Sequence, residues 1–377
     1  MELTRRKFIK SSFAAGALAM GFTPFLNGCG RGIKRGDIKP AGRLLEDIPY
    51  LDDQSAGILH CASLAPSGHN AQPWYVKVIN RGEWIIGADP ERRLPSVDPN
   101  NREVMLSIGA FAENLSIAAA VQGYKAKIEV IASSPFDEDI IRVSLKKTKP
   151  VDYSLQRLTT RRTVKHGYRS NELRSDDVRT LSKPLEGRLV YFPRGSDHAK
   201  CIEKCTVESF RRQTYRDDAQ SELASWTRFS NQEAREHRDG LTPEGMEIKG
   251  FAGWYVRNFM KKQDVLKERF KKTSVDLITK LAGQGAGWFI ITSEGGGVSD
   301  LIETGRRFER MVLMAREHNI GVHPMTQCLE EKTGQNEIAL NHPPNVSPQF
   351  VLRVGYLDSY PDPVTLRRPV SLFLRKG

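Results

Sequence analysis

Apolar and polar residues along this chain follow two rhythms. In "NNREVMLSIGAFAENLSIAAAVQGY", residues 100 to 124, apolar side chains stand at 104, 108, 111, 115 and 118. That spacing of four, three, four and three predicts one buried face of a long helix over 102 to 124, closed by Gly123. A shorter helix is predicted over about 53 to 64. A polar loop follows it, then two short strands, "WYVKVI" and "EWIIGA", and after the long helix two more, "AKIEVIA" and "IIRVSLK".

The second half repeats the order in degraded form. "RSDDVRTLSK" predicts a helix with Ser170 as its N-cap. "RLVYFP" predicts a strand and "HAKCIEKCTVESFRRQ" a helix. "GWFIITSE" matches "EWIIGADP" as a strand, and "SDLIETGRRFERMVLMAREHNIGV" matches the long helix; "QFVLRVGYL" supplies a last strand. The agreement in order predicts an α+β fold of two related halves around one shared core. Between the helix after "RLVYFP" and "GWFIITSE", about 206 to 282, lies an extra region rich in Arg, Lys, Glu and Trp. Its helices are polar on most faces, so they are expected to pack over the core as a cover.

Composition changes this picture little. The 377 residues, 39% hydrophobic and 27% charged, are enough for a sizeable core, and no low-complexity run interrupts them. The net charge of +12 favours anionic partners, yet no single Lys/Arg run reads as a nucleic-acid surface. The N-terminus matters more. "TRRKFIK", Thr4 to Lys10, precedes a short apolar stretch and resembles the twin-arginine signal, with Arg5 and Arg6 as its pair. "LNGC", ending at Cys29, resembles a lipobox. The expectation is export through the Tat machinery to the periplasm, with a lipid anchor at Cys29 as one alternative. Residues 1–29 then form the signal, 30–42 a linker, 43–150 the first half, and 151–377 the second half with its cover at about 206–282. The five cysteines contain no C-x-x-C, and no metal-ligand spacing occurs. Cys201 and Cys205 are expected on one helix face as two packed thiols.

Two stretches carry candidate chemistry. "APSGHNAQPW", residues 65 to 74, places Pro66, Ser67, His69, Asn70 and Gln72 just ahead of a buried strand. "TTRRTVKHGY", residues 159 to 168, places Arg161, Arg162, Thr163 and Lys165 within five positions, and "TLRRPV" adds Arg367 and Arg368 near the C-terminus. The planar guanidinium fork suits a phosphate, so the three stretches together suit a phosphorylated ligand. Paired arginines on a solvated surface are the bland alternative.

The pattern A-P-S-x-x-N-x-Q-P-W, with R-R-[ST]-x-[KR], resembles the flavin-binding equipment of the nitroreductase family. The H-N pair, the duplicated halves and the inserted cover resemble its single-chain, Acg-like branch, over roughly 43 to 372. The resemblance implies a nitroreductase-like α+β fold: an intrachain pseudo-dimer with central antiparallel or mixed sheets flanked by helices. It implies FMN as cofactor, one per chain at the junction of the halves, because each half has only one part of the site. Arg161 would hold the phosphate, Thr163 would stand where the family has Ser, and Lys165 would sit at the pyrimidine edge. Pro66, Ser67 and Asn70 would lie along the ribityl chain, with Gln72 within reach of the ring. Pro73 and Trp74 would turn the chain and fill the core. His69 would either contact the ligand or cap the loop. His323, Pro324 and Met325 would line the ring or form a plain turn. Arg367 and Arg368 would complete the phosphate site, with one of the two free to face water.

No catalytic residue is expected from the protein itself, because flavin N5 carries the hydride. The expected activity is reduction of a nitroaromatic, quinone or similar planar acceptor, with a quinol, a redox protein or NAD(P)H as donor. The alternative is a non-catalytic FMN-sequestering protein whose cover, through Trp226, Arg228 and Asp239, shuts the site.

Overall fold

The first long helix runs Arg102–Val121 (α2) and the second Val298–Glu317 (α11); they lie against each other at the centre of the molecule. The computed structural model describes residues 31–38, 51–341 and 347–376. The twin-arginine stretch, Cys29, residues 30 and 39–42 of the linker and the start of the first half lie outside the described residues. Gly32–Gly377 form one compact unit.

Each long helix has 20 residues, with a glycine at the eighth position, Gly109 and Gly305. A β-carbon at Gly109 would overlap the Ile302 carbonyl oxygen, and one at Gly305 would overlap that of Leu106. The backbones therefore touch at a reciprocal crossing that only glycine allows. Glu113 of α2 ties the same crossing by accepting from Arg306 (3.0 Å) and Arg310 (2.8 Å) of α11. α2 is also long and apolar enough to span a membrane, but here most of it is buried as core.

The first half comprises α1 (Asp53–Ala62), β1 (Trp74–Asn80), β2 (Glu83–Ala88), α2, β3 (Tyr124–Val130) and β4 (Asp139–Lys147). Asp52 caps α1 by accepting from the Ser55 amide at 2.8 Å, and the helix ends two residues short of the predicted 64. Gly123, at φ 79°, turns the chain out of α2 as expected. The second half contains α3 (Gln156–Thr160), α4 (Ser175–Ser182), β5 (Leu189–Pro193), then α5 (Asp197–Tyr215), α6 (Asp217–Trp226), α7 (Asn231–His237), α8 (Gly250–Phe259), α9 (Lys262–Val265) and α10 (Glu268–Ala282). It closes with β6 (Gly287–Ser293), α11, β7 (Ile320–Pro324), α12 (Gln327–Glu330), α13 (Lys332–Asn341), β8 (Ser347–Tyr356) and β9 (Leu374–Lys376).

The strand order is β3-β4-β2-β1-β9 in one sheet and β5-β6-β8-β7 in the other. Read from the outer edge, β3-β4-β2-β1 and β7-β8-β6-β5 are the same path, with every pairing antiparallel. The two halves thus share one topology. They differ between the first and second strands of each path. Two residues join β1 to β2, whereas the chain from 194 to 286 with all of α5–α10 joins β5 to β6.

Several expectations need correction. Ser170 does not cap a helix: α4 starts at Ser175, and its N-cap, Arg174, makes no side-chain capping bond. The insertion is longer than 206–282. Its α5 and α10 pack on the second sheet, where Ala199, Ile202, Cys205 and Ala282 join Trp288, Ile290 and Val351. The cover also has a small apolar core of its own, around Ala224, Phe229, Val256 and Val265. β8 is not the last strand. The chain crosses back so that β9 lies parallel on β1, where the Val76 amide donates to the Phe373 carbonyl at 2.7 Å. Cys201 and Cys205 are unbridged thiols on α5, as expected, and Cys205 also packs toward Cys328.

Gly109→Ala should cost roughly 1–3 kcal/mol or more, by forcing a methyl group against a backbone carbonyl. Gly57→Ala, in α1 with open space around it, should instead stabilise by about 0.5–1 kcal/mol through helix propensity. Urea denaturation of both variants checks the crossing; equal effects of one sign would contradict it.

Candidate functional site

The loop after α1 has an unusual backbone. His69, Asn70 and Gln72 have φ of 49°, 53° and 53°. Three non-glycine residues in the left-handed region within four positions store strain that surrounding bonds must hold. Ser67 Oγ accepts from the Gln72 amide at 2.9 Å. Trp74, wholly buried, anchors the end of the loop against Phe111 with ring centroids 5.1 Å apart.

Onto this loop come side chains from distant parts of the chain. Arg161 leaves the end of α3 and donates from Nη2 to the Leu64 carbonyl at 3.1 Å. Arg367 donates from Nη2 to the carbonyls of Leu64 and Ala65, both at 3.1 Å, and from Nη1 to Asn70 Oδ1 at 2.8 Å. Arg161 and Asn70 are thus linked through Arg367 and one shared carbonyl. Arg35 closes the far side, donating to the Thr365 carbonyl at 2.9 Å and the Thr159 carbonyl at 3.2 Å. Glu309, fully buried on α11, faces Arg161 Nε at 3.4 Å. Among the described residues, both Glu309 carboxyl oxygens, Arg161 Nε and Arg367 Nε are buried without a hydrogen-bond partner.

The electrostatics show how concentrated the charge is. Burial lowers the Arg367 guanidinium well below its usual range, and Arg35 and Arg161 push it further down. Arg35 falls to about 9, first through burial and then through Arg161 and Arg162. Burial raises the Glu309 carboxyl, against the pull of Arg161. Arg162 points away, to Glu247 and to the Asp362 carbonyl at 2.7 Å. The site therefore holds more buried cation than carboxylate, the arrangement that receives an anion.

A second group lies beside the first. Lys165 is half-buried, and its ammonium is lowered by burial while Glu247 opposes the shift. It acts on two imidazoles. His69 is pushed down to about 4 by burial, with Glu103 raising and Lys165 lowering it, and its Nδ1 has no protein partner. His323 is lowered by burial, then by Arg353 and Lys165; its Nδ1 lies 3.2 Å from Arg353 Nη2. Both imidazoles are neutral at neutral pH.

The cover is clasped to the loop. Asp239, 2% exposed, receives Arg92 of the first half at 2.9 Å and Arg228 of the cover at 2.9 Å. Both guanidinium carbons stand 5.6 Å from the Trp226 ring. Asn70 Nδ2 donates to the Gly240 carbonyl at 3.1 Å, and Gln72 Nε2 to that of Arg238 at 3.0 Å.

Other expected residues are placed differently. Arg368 faces neither water nor the arginine cluster. It is 4% exposed, donates to the carbonyls of Gln72 (2.7 Å) and Trp74 (2.9 Å), and so fixes the loop and the return to β9. Met325 packs its side chain among Trp288, Cys328 and Val351 in the second-half core, away from the cluster. Pro66, Thr163 and Pro324 are half-buried at the edges of their segments. Arg35, Glu309, Arg92 and Glu247 were not anticipated. Glu309 carried a signal: it interrupts the apolar stripe of α11 at the position where α2 has Glu113, so G-x-x-x-E recurs in both helices.

Because folded His69 takes up a proton only near pH 4 while the unfolded side chain does so near 6.5, the unfolded state binds more protons between those values. Stability should therefore fall as pH drops from about 6.5 to 4. His69→Asn should flatten part of that decline in urea titrations at successive pH values; an unchanged slope would mean His69 is protonated in place.

No protein-family model matches the chain. The protein named Probable NAD(P)H nitroreductase PigM, from Serratia sp. (strain ATCC 39006), is 22% identical over 317 residues, which cover 79% of this chain and 86% of that one. The protein named Putative NAD(P)H nitroreductase Rv3131, from Mycobacterium tuberculosis (strain ATCC 25618 / H37Rv), is 37% identical over 71 residues, 19% of this chain and 20% of its own. The solved FMN-dependent nitroreductase NfnB from Mycobacterium smegmatis, in complex with NADPH, aligns with 59% of this chain and 96% of its own at 12% identity and a TM-score of 0.36. The chain is thus similar to PigM along most of its length.

Proposed function

We propose that this chain is a flavoprotein of nitroreductase type that holds one FMN where the strained loop meets the arginine cluster. The observation that supports this most directly is the convergence of Arg161 and Arg367 on residues 64–70, with Arg35 adding a third cation from its place on Thr159 and Thr365. The donor set fits a phosphate. Arg161 and Arg367 each keep a buried Nε–H without a hydrogen-bond partner, and a dianion would offset the burial and mutual repulsion that depress Arg35 and Arg367. Asn70, with both a donor and an acceptor, suits hydroxyls of a polyol chain. His69, Lys165 and His323 stand where a ring system would be bordered by one cation and two neutral imidazoles.

Room for the ring is the tighter condition. The hollow beside Gly68 and Glu103 measures only about 10 Å³. That hollow borders the loop at Gly68 and Arg92 but not Arg161, Arg367 or Lys165. A phosphate among the arginines would take the place of the carbonyls that Arg367 now holds, and a ring beside the loop would be admitted by loosening of the Arg92–Asp239 clasp. When bound, FMN would supply two-electron transfer between a reductant and a planar acceptor. The protein's own part is to hold the phosphate through Arg161 and Arg367, to place the Lys165 cation beside the ring, and to exclude water with Trp226 and the 238–241 segment. The names of the relatives point to NAD(P)H as the donor. A nitroaromatic or quinone is the acceptor class we assign.

The second reading, storage of FMN without turnover, draws on the same clasp. Asp239 is held by two arginines and the cover bonds directly to Asn70 and Gln72, so a closed site would keep acceptors out.

Titration with FMN, followed by flavin fluorescence, should saturate at one equivalent per chain. Arg161→Ala should bind about tenfold to a hundredfold more weakly, as expected for loss of a charge-assisted bond of roughly 1.5–3 kcal/mol. Two equivalents, or full affinity in the variant, would contradict the assignment.

The two readings separate in stopped-flow reoxidation of the dithionite-reduced protein by a nitroaromatic. Rapid reoxidation supports an oxidoreductase. Slow reoxidation that Asp239→Asn accelerates supports a clasped store; slow reoxidation unchanged by that variant removes the gating role from the clasp.

A further inference from the structure

The helix α8 wears its aromatic side chains on the outside. Gly253 and Val256 face inward, Val256 packing with Ala224, Phe229 and Val265. The opposite stripe carries Phe251, Tyr255 and Phe259 at steps of four, exposed by 70%, 38% and 56%. Trp254 bridges the stripe: its ring centroid lies 5.3 Å from Phe251 and 5.2 Å from Phe259. A globular surface helix normally turns such a stripe to the core, so four clustered aromatic rings around one exposed ridge call for a partner.

The charge around the ridge indicates which partner. Between 249 and 272 the chain has eight Lys or Arg and two Asp or Glu. Lys249 at one end of the helix and Lys261 and Lys262 at the other are exposed. The carboxylates nearby are engaged. Glu244 binds Arg257, Asp264 binds Lys267 at 2.6 Å, and Glu268 accepts from Tyr215 at 2.7 Å. Glu233 accepts the Phe229 amide at 2.9 Å. An open hollow of about 510 Å³ lies under the C-terminal end of the helix, with Phe259, Met260, Lys261 and Lys262 at its rim.

An aromatic stripe bracketed by lysines is the arrangement that suits a membrane interface. Rings enter the boundary between headgroup and acyl chain, while ammonium groups stay level with the phosphates. A protein partner would need a complementary acidic groove; a bilayer with anionic phospholipid supplies apolar depth and negative charge together. The geometry points to α8 as a docking ridge that lays this protein on the surface of a bilayer containing anionic phospholipid, Phe251 and Phe259 inserted and Lys249, Lys261 and Lys262 at the phosphates. This assignment does not depend on the flavin reading, and its failure would leave that reading untouched.

The test is co-sedimentation of the full chain with vesicles of phosphatidylglycerol and phosphatidylcholine, and with phosphatidylcholine alone. Residues 1–30 are common to every chain compared, so differences report the ridge. The parent should partition to the anionic vesicles, and added salt should weaken it. Phe251→Ser/Phe259→Ser should bind at least about tenfold more weakly, given the apolar area withdrawn. Lys261→Glu/Lys262→Glu should lose about fivefold or more per position on anionic vesicles only. Circular dichroism confirms that each variant folds; exposed positions make this the expected result. Unchanged partitioning in both variants would overturn the proposal. So would a parent dimer that the phenylalanine variant dissociates while vesicle binding stays the same, since the ridge would then be covered by a second copy of the chain.

Discussion

At the centre of the molecule two helices approach until backbone meets backbone. Gly109 and Gly305 make this possible, each lying under a carbonyl of the opposite helix. The remainder of the architecture is arranged around that crossing. The glycines occupy the same position in helices of the same length, and the sheets that flank them follow the same strand path. Glu113 adds an ionic tie from α2 to Arg306 and Arg310. Its counterpart Glu309 turns instead to Arg161, so one of two equivalent positions is structural and the other belongs to the site. A duplicated scaffold has here been used asymmetrically.

The asymmetry concentrates charge. Arg161 comes from the start of the second half, Arg367 from the C-terminal return, and Arg35 from the segment before the first half. The first two meet over a loop whose backbone is strained at three residues, and Arg35 stands behind them on Thr159 and Thr365. Buried guanidinium groups that lower one another are costly unless an anion or a dense set of acceptors compensates. In the closed arrangement the carbonyls of Leu64 and Ala65 and the amide of Asn70 fill that role, leaving buried N–H groups unpaired. A phosphate would satisfy the same donors with better charge balance, which ties the crowding of the arginines to the FMN site proposed above.

Much of this could be read before the structure. The period of α2 and the runs of β1, β2 and β6 were legible because burial imposes a strict pattern on long, regular elements. The loop at 65–74 and the pair at 161–162 were legible as chemistry, because small polar residues and paired arginines at element boundaries are conspicuous. What escaped notice depended on long-range partners. β9 has three residues and follows Pro369, so only its pairing with β1 makes it a strand. Arg35 sits in a segment that reads as linker, and only Thr159 and Thr365 give it a place. Ser170 had the chemistry of a cap without the position. Arg368 fell next to Arg367, which faces the cluster, and Met325 two residues from His323, but their own side chains point onto the loop backbone and into the core. Glu309 was visible in principle, as a lone carboxylate in an apolar stripe.

The cover gives the site its character. Inserted where the first half has a two-residue turn, it contributes helices to the second sheet, a clasp on the loop through Asp239, and an aromatic ridge on its outer side. Whether the clasp yields to an acceptor decides between turnover and storage; whether an anion sits among the arginines decides whether either reading applies. The most direct measurement is a crystal structure of the protein grown with FMN. The account predicts one flavin per chain, its phosphate oxygens in hydrogen-bond contact with Arg161 and Arg367 and its ring bordered by residues 66–72 and Lys165. A flavin bound elsewhere, or an arginine cluster still closed on Leu64 and Ala65 at saturating FMN, would contradict it.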